Sequence, residues 1–187
     1  MSHPKDMAEL NQRVSAGWRP KFVLFWGHQA AENDRLGHEC FSQWYPAPFE
    51  VEGMRFPTAE HYMMWRKARL FEDDQTAAAV LAAGSPAAAK KLGRAVRNFS
   101  EEVWVQQRFQ IVVRASVAKF GRNSELRAYL LGTKDRVLVE ASPVDRVWGI
   151  GLDAMSEHAK NPLLWRGLNL LGFALMQART ELSLAED

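Results

Sequence analysis

Two ionisable residues stand where a helix should bury its apolar face. The sequence has helical periodicity from Thr58 to about Glu72, and positions 60, 63, 64, 67, 70 and 71 share one stripe. Those residues are Glu60, Met63, Met64, Lys67, Leu70 and Phe71, while Arg66, Arg69 and Asp73 lie on another face that can take the water. Burying an unpaired charge is costly, so an acid and an amine on the inward stripe need partners or a ligand. A buried carboxyl can hold or release a proton, and a lysine desolvated among methionines can become a nucleophilic amine. Glu60 also sits in the first helical turn, where the dipole favours its charged form and burial the neutral one. The bland alternatives are a structural ion pair, or a Lys67 that snorkels past the methionines.

The pattern recurs further along. Trp104, Arg108, Ile111 and Ala115 form a stripe that sets an arginine among apolar neighbours, where it can fork onto a carboxylate or a phosphate. Trp165, Asn169, Gly172, Met176 and Arg179 align in the last helical stretch, with Asn169 able to bond either a loop backbone or a ligand. Between them, Glu140-Ala141-Ser142-Pro143-Val144-Asp145-Arg146-Val147-Trp148-Gly149-Ile150-Gly151 gathers acids, a serine, a tryptophan and glycines just after a strand. Such a loop can offer backbone N–H groups to an anion and an indole face to a base, or simply make a tight turn around a packed Trp. Its glycines formally fit a dinucleotide-binding pattern, but the strand ends before Pro143 and no βαβ unit follows.

The elements that must hold these residues read as follows. Residues 21–26 are β-branched and aromatic and form a strand, followed by a polar loop over 28–39. Residues 49–56 form a hairpin around Glu52-Gly53, which sets Phe49 opposite Phe56, Glu50 opposite Arg55 and Val51 opposite Met54. Thr58 caps the first helix, and a second covers about 74–83. Ser85-Pro86 starts a third that runs to Gly93, and Ser100 caps a long one that ends near Gly121. A short helix spans 124–132, a strand 136–140, and Asn161-Pro162 opens a last helix reaching about Leu182. The fold class is α+β: a mostly α-helical single domain over 18–187 with a small antiparallel sheet or hairpin, behind a flexible tail at 1–17.

Composition bounds the function. A chain of 187 residues with a formal charge of +2 is long enough for one core and too balanced to argue for nucleic acid. Seven Trp exceed what a small core needs, and some can serve as stacking walls. The single Cys40 allows no intrachain disulfide and fits a reducing compartment; it reads as a small buried hydrophobe rather than a metal ligand. No signal segment or membrane-length apolar run is present, so a cytoplasmic, soluble protein with no membrane partner is expected.

Taken in order, several stretches resemble a known family. They are Phe25-Trp26-Gly27, Phe41-Ser42-Gln43-Trp44-Tyr45, Phe56-Pro57-Thr58-Ala59-Glu60-His61-Tyr62 through Lys67-Ala68, and Lys91-Leu92-Gly93-Arg94. Ala118-Lys119-Phe120 with Asn123, Leu138-Val139-Glu140-Ala141-Ser142, Asp145, and Trp148-Gly149-Ile150-Gly151 follow. Trp165-Arg166-Gly167-Leu168-Asn169 with Leu171-Gly172 and Arg179 closes the series. From Phe22 to Arg179 this is similar to the YbiA/NADAR family, with Gln43 where the family often has Asn.

The resemblance implies N-glycosidase chemistry. Glu60 is expected as acid/base or cation-stabilising carboxylate and Asp145 as the second acid. Lys67 is expected either to hold a phosphate or ribose hydroxyl, or to attack the anomeric carbon and form an imine. Trp26 and Trp148 are candidates for stacking on the base, and Arg94 and Arg108 for the phosphate. Gly27, Ser42, Asn123, Glu140, Ser142, Gly149 and Asn169 complete the expected substrate contacts. No metal or cofactor is implied. The expected substrate is a small nucleotide-like molecule, a phosphorylated ribosyl-aminopyrimidine of riboflavin synthesis. The alternatives are ADP-ribose on guanine, the one case in which nucleic acid is a partner, and a non-catalytic NAD or ADP-ribose binding module.

Overall fold

The computed structural model describes residues 3–28 and 36–185. In chain order the described elements are α1 (Met7–Ser15), β1 (Phe22–Phe25), β2 (Phe49–Val51), β3 (Met54–Phe56), α2 (Ala59–Leu70), α3 (Asp74–Leu81) and α4 (Pro86–Arg94). They continue with α5 (Glu101–Gly121), α6 (Ser124–Leu131), β4 (Val137–Glu140) and α7 (Leu170–Leu184). Short 3₁₀ turns cover His38–Phe41 and Pro162–Leu164. The α+β, mostly helical class is as expected.

The helix starts follow from the caps. Thr58, Ser85 and Ser100 each accept a backbone N–H three residues on, and Pro86 occupies the first turn of α4. The hairpin has the expected register, Phe49 with Phe56, Glu50 with Arg55 and Val51 with Met54. Glu52 and Gly53 both take positive φ, 55° and 74°, as a two-residue turn of this hand requires.

The structure corrects four expectations. Besides the antiparallel hairpin, β1 and β4 pair in parallel, from Phe22 with Val137 to Phe25 with Glu140. A parallel pair needs a crossover, and here the hairpin and all of α2–α6 lie between its strands. The segment expected as a flexible tail folds into α1, capped by Asp6, with Leu10 fully buried and the helix packed on the Pro162–Leu164 turn. Asn161-Pro162 opens only that turn, and α7 begins eight residues later, after Asn169. The intervening backbone is diverted: the amides of Arg166, Leu168 and Asn169 donate to the carbonyls of Ile150, Arg146 and Gly149. Finally, Asp73 is buried, because it caps α3 and receives both the backbone N–H and the guanidinium of Arg97. Of the loop expected at 28–39, residues 29–35 lie outside the described residues.

The long helix α5 packs against α7, α2 and α6, and α7 also covers the β1–β4 pair. Helix α2 is wedged between α3, α4 and α5, so it buries nearly its whole circumference rather than one stripe. This placement leaves a concavity where α2, α4, the start of α5 and the loop after β4 meet.

Candidate active site

The concavity is a cavity of about 570 Å³. Helix α2 supplies Glu60, Met63, Met64 and Lys67 to its wall, as the periodicity requires. Glu60 is almost wholly buried. Its backbone N–H donates to Gln43 O at 3.0 Å, and the Trp44 indole N–H lies beside its carboxyl and favours the charged form. Oε1 has no hydrogen-bond partner among the described residues. Burial pushes the Glu60 carboxyl up to about 7; Lys90, the Trp44 indole and Arg94 oppose the rise, and Asp145 adds to it.

A second acid of the same kind sits at the end of β4. The backbone of Glu140 is fixed on both sides, its N–H donating to Asn169 Oδ1 at 3.0 Å and its carbonyl accepting from Ile150 at 2.9 Å. Its side chain enters the cavity with Oε2 buried and unpartnered among the described residues. Burial, reinforced by Asp145 and Glu60 and opposed by Lys90, pushes this carboxyl up to about 8. Asp145 also lines the cavity, but its Oδ1 accepts the N–H groups of Val147 at 2.8 Å and Trp148 at 2.7 Å. That oxygen builds the loop that carries Trp148 to the cavity wall.

Lys67 faces the same cavity with different neighbours. Its Nζ donates to Gly93 O at 2.9 Å and lies 4.0 Å from the Phe99 ring centroid and 5.5 Å from that of Trp104. Burial pushes its ammonium down, against the charge of Glu101. The approach of α4 depends on Gly93, where a Cβ would stand 2.0 Å from Met64 Sδ. Lys90 and Arg94, one turn apart on α4, face the cavity, with Lys90 Nζ 5.8 Å from the Trp44 ring centroid. Arg108 pairs loosely with Glu101 at 3.7 Å and leaves Nε buried and unpartnered among the described residues.

Glu60, Lys67, Asp145, Ser42, Arg94, Arg108, Glu140 and Trp148 thus meet in one place. The other expected contacts do not line it. Trp26 is 55% exposed, next to Gly27 at φ 80°. Asn123 caps α6 through its side-chain oxygen. The Ser142 hydroxyl accepts the Asp145 N–H, and Gly149 is pressed against the Glu140 carbonyl, where a Cβ would come within 2.8 Å. Asn169 is fully buried and clasps β4, with Nδ2 donating to Leu138 O at 2.9 Å. These residues shape the loop and the strand behind the site.

Sequence patterns alone gave no site role to Trp44, Lys90, Phe99, Glu101, Trp104 or Arg146, all on the cavity wall. The Lys90/Arg94 spacing was the signal available, a cationic pair on one helix face. For Phe99 and Glu101 no local signal exists.

One buried and one partly buried carboxyl with raised affinity for protons, a ring of cations and several indole faces make a site that can assist the breaking of an N-glycosidic bond. Comparison with known proteins agrees in kind. The NADAR domain family profile matches residues 24–183. An N-glycosidase of Acanthamoeba polyphaga mimivirus is 39% identical over 166 residues, covering 86% of this chain and 96% of that protein. N-glycosidase YbiA of Escherichia coli is 33% identical over 173 residues, covering 92% and 96%. The NMR structure of E. coli YbiA superposes with a TM-score of 0.68 at 28% identity, over 94% of this chain and 93% of that one.

Proposed function

The chain belongs to the NADAR domain family, and from that premise we propose that it hydrolyses the N-glycosidic bond of a phosphorylated ribosyl-aminopyrimidine to free base and ribose 5-phosphate. Several of its relatives are named N-glycosidases, and hydrolysis of an N-glycosyl compound is the activity of this chain. The observation that carries the reading is the pair Glu60 and Glu140: a buried and a partly buried carboxyl in one cavity, each with a buried oxygen that is unpartnered among the described residues.

The two acids divide the work. Glu140, which faces the acids Asp145 and Glu60 and whose Oε2 has no hydrogen-bond partner among the described residues, is the proton donor. As the C1–N bond breaks, its electron pair stays on the base nitrogen, which takes the Glu140 proton. The Trp44 indole dipole and the fields of Lys90 and Arg94 all favour the Glu60 carboxylate. That carboxylate faces the positive charge developing on the ribose ring. Lys67, as the neutral amine, adds to C1 and passes a proton to the Glu60 carboxylate. That proton goes on to the ring oxygen as the C1–O4 bond opens to the imine. Water then adds to C1 and expels Lys67 to leave ribose 5-phosphate. The support for this role is an amine disfavoured as ammonium by burial and held in place by the Gly93 carbonyl. Lys90, Arg94 and Arg108 bind the phosphate, and Trp44 and Trp148 offer faces to the base. The cavity volume suits a single nucleotide-sized ligand.

The test is a base-release assay on the ribosyl-aminopyrimidine phosphate and on ADP-ribosylated guanine, with wild type beside Glu60→Gln and Glu140→Gln. The reading expects release from the first substrate, reduced by about 10²–10⁴-fold in each variant. Release from the second substrate alone, falling steeply with added salt, overturns the substrate assignment. Ligand binding without release from either overturns the enzymatic reading.

A further inference from the structure

One ionisable group far from solvent has no part in the chemistry above. Lys119, in the last turn of α5, is among the largest fully buried side chains of the protein. Among the described residues no carboxylate pairs with it. Its surroundings are the Tyr45 and Phe120 rings, 5.3 and 5.1 Å away, and two backbone carbonyls. Nζ donates to Cys40 O at 2.6 Å and to Ser42 O at 2.8 Å. A methionine or leucine would fill the same space without the penalty of desolvating an amine.

What those two bonds hold is the approach to Glu60. Residues 40–44 leave the 3₁₀ turn and run along α2. The Ser42 hydroxyl accepts the Trp44 N–H at 3.2 Å, and the Gln43 carbonyl accepts the Glu60 N–H at 3.0 Å. The Trp44 indole N–H lies beside the Glu60 carboxyl and favours its charged form. The carbonyls on one side of the segment are thus taken by Lys119 and the groups on the other by Glu60. We propose that Lys119 is a positioning residue, clamping residues 40–44 from the interior so that Gln43 stays bonded to the Glu60 backbone and Trp44 stays beside the catalytic carboxylate. Burial pushes its ammonium down to about 7, but ammonium and neutral amine both carry the two N–H groups that the carbonyls use. The clamp therefore does not open across neutral pH.

The kinetic readout of this inference rests on the glycosidase reading, and a spectroscopic one does not. In protein labelled with ¹⁵N-tryptophan, the Trp44 indole resonance is identified by its loss in Trp44→Phe. In wild type it shifts with pH as Glu60 titrates near 7. Lys119→Met is expected to abolish that titration while the other indole resonances stay in place, and Lys119→Arg to restore it. In the base-release assay kcat should fall roughly 10- to 100-fold in Lys119→Met with KM changed much less. The acid limb of the profile should move to higher pH, because Glu60 has lost the indole N–H that favours its charged form. A lower melting temperature with an unchanged Trp44 titration overturns the proposal. If Lys119→Met does not fold, Lys119→Gln is followed by the same resonance, and an unchanged titration there overturns the proposal equally. A wild type that releases no base while its Trp44 signal behaves as described sinks the functional reading and leaves the clamp standing.

Discussion

At the scale of single residues, the chemistry depends on two carboxyls held at different proton affinities. In the proposed mechanism the rate requires Glu60 ionised and Glu140 protonated, so kcat/KM should rise through about pH 7 and fall above about pH 8. Glu140→Gln should lose the alkaline limb along with most of the rate; a profile that keeps this limb assigns it to another group. Lys67 is tested by its own chemistry. Borohydride added during turnover should leave a sugar adduct on wild type and none on Lys67→Met. An active wild type that never traps reduces Lys67 to a cation that binds the substrate. Asp145 shows why residue type alone misleads: it is an acid in the site, yet one of its oxygens holds the loop backbone.

At the scale of elements, the site exists because α4 lies close enough to α2 for Lys67 to reach the Gly93 carbonyl. A methyl group at position 93 would meet Met64 Sδ at 2.0 Å and Cγ at 2.9 Å, so Met64 must leave its place on the cavity wall, and its Cβ at 3.1 Å stays tight even then. Gly93→Ala should therefore destabilise the protein by about 1–3 kcal/mol in chemical denaturation. It should also weaken borohydride trapping at Lys67, since the acceptor moves with α4. An unaffected trapping yield would show that the Gly93 bond does not position the amine. The caps, the hairpin register and the inward placement of Glu60 and Lys67 were all readable locally, because each depends on residues within a few positions of one another. The start of α7 was not: Asn161-Pro162 has a helix-opening signature, and the turn it starts is ended by long-range bonds to the loop at 146–150.

At the scale of the whole molecule, burying ionisable groups ties stability to pH. Glu60 and Glu140 take up protons more readily folded than unfolded, where their ordinary value is 4.5. Their contribution is fully present below that value and is lost as pH rises through about 7 and 8. Lys119 acts in the opposite sense in a higher window, since its depressed folded value of about 7 against 10.5 favours folding progressively from one to the other. The melting temperature should thus fall between pH 5 and pH 8, by about 2–4 °C for each kcal/mol lost. Glu140→Gln should flatten that decline and be more stable than wild type at pH 8. A wild-type melting temperature that is flat or rising across this interval contradicts the burial of the two acids.

The sequence by itself determined the α+β class, the helix starts, the tight hairpin turn and the fact that Glu60 and Lys67 look inward. Caps, turns and periodicity are short-range properties, fixed by side chains that bond or stack on their own segment. Only the tertiary structure decided that the partly buried Glu140 shares a cavity with Glu60, that Lys90 and Trp44 face Glu60, and that Asn169, Ser142 and Gly149 bond or pack against the strand and loop. Those roles come from contacts between segments dozens of residues apart. Whether a carboxyl is dry, and which cation or indole it meets, depends on how α2, α4, α5 and the loop after β4 pack together.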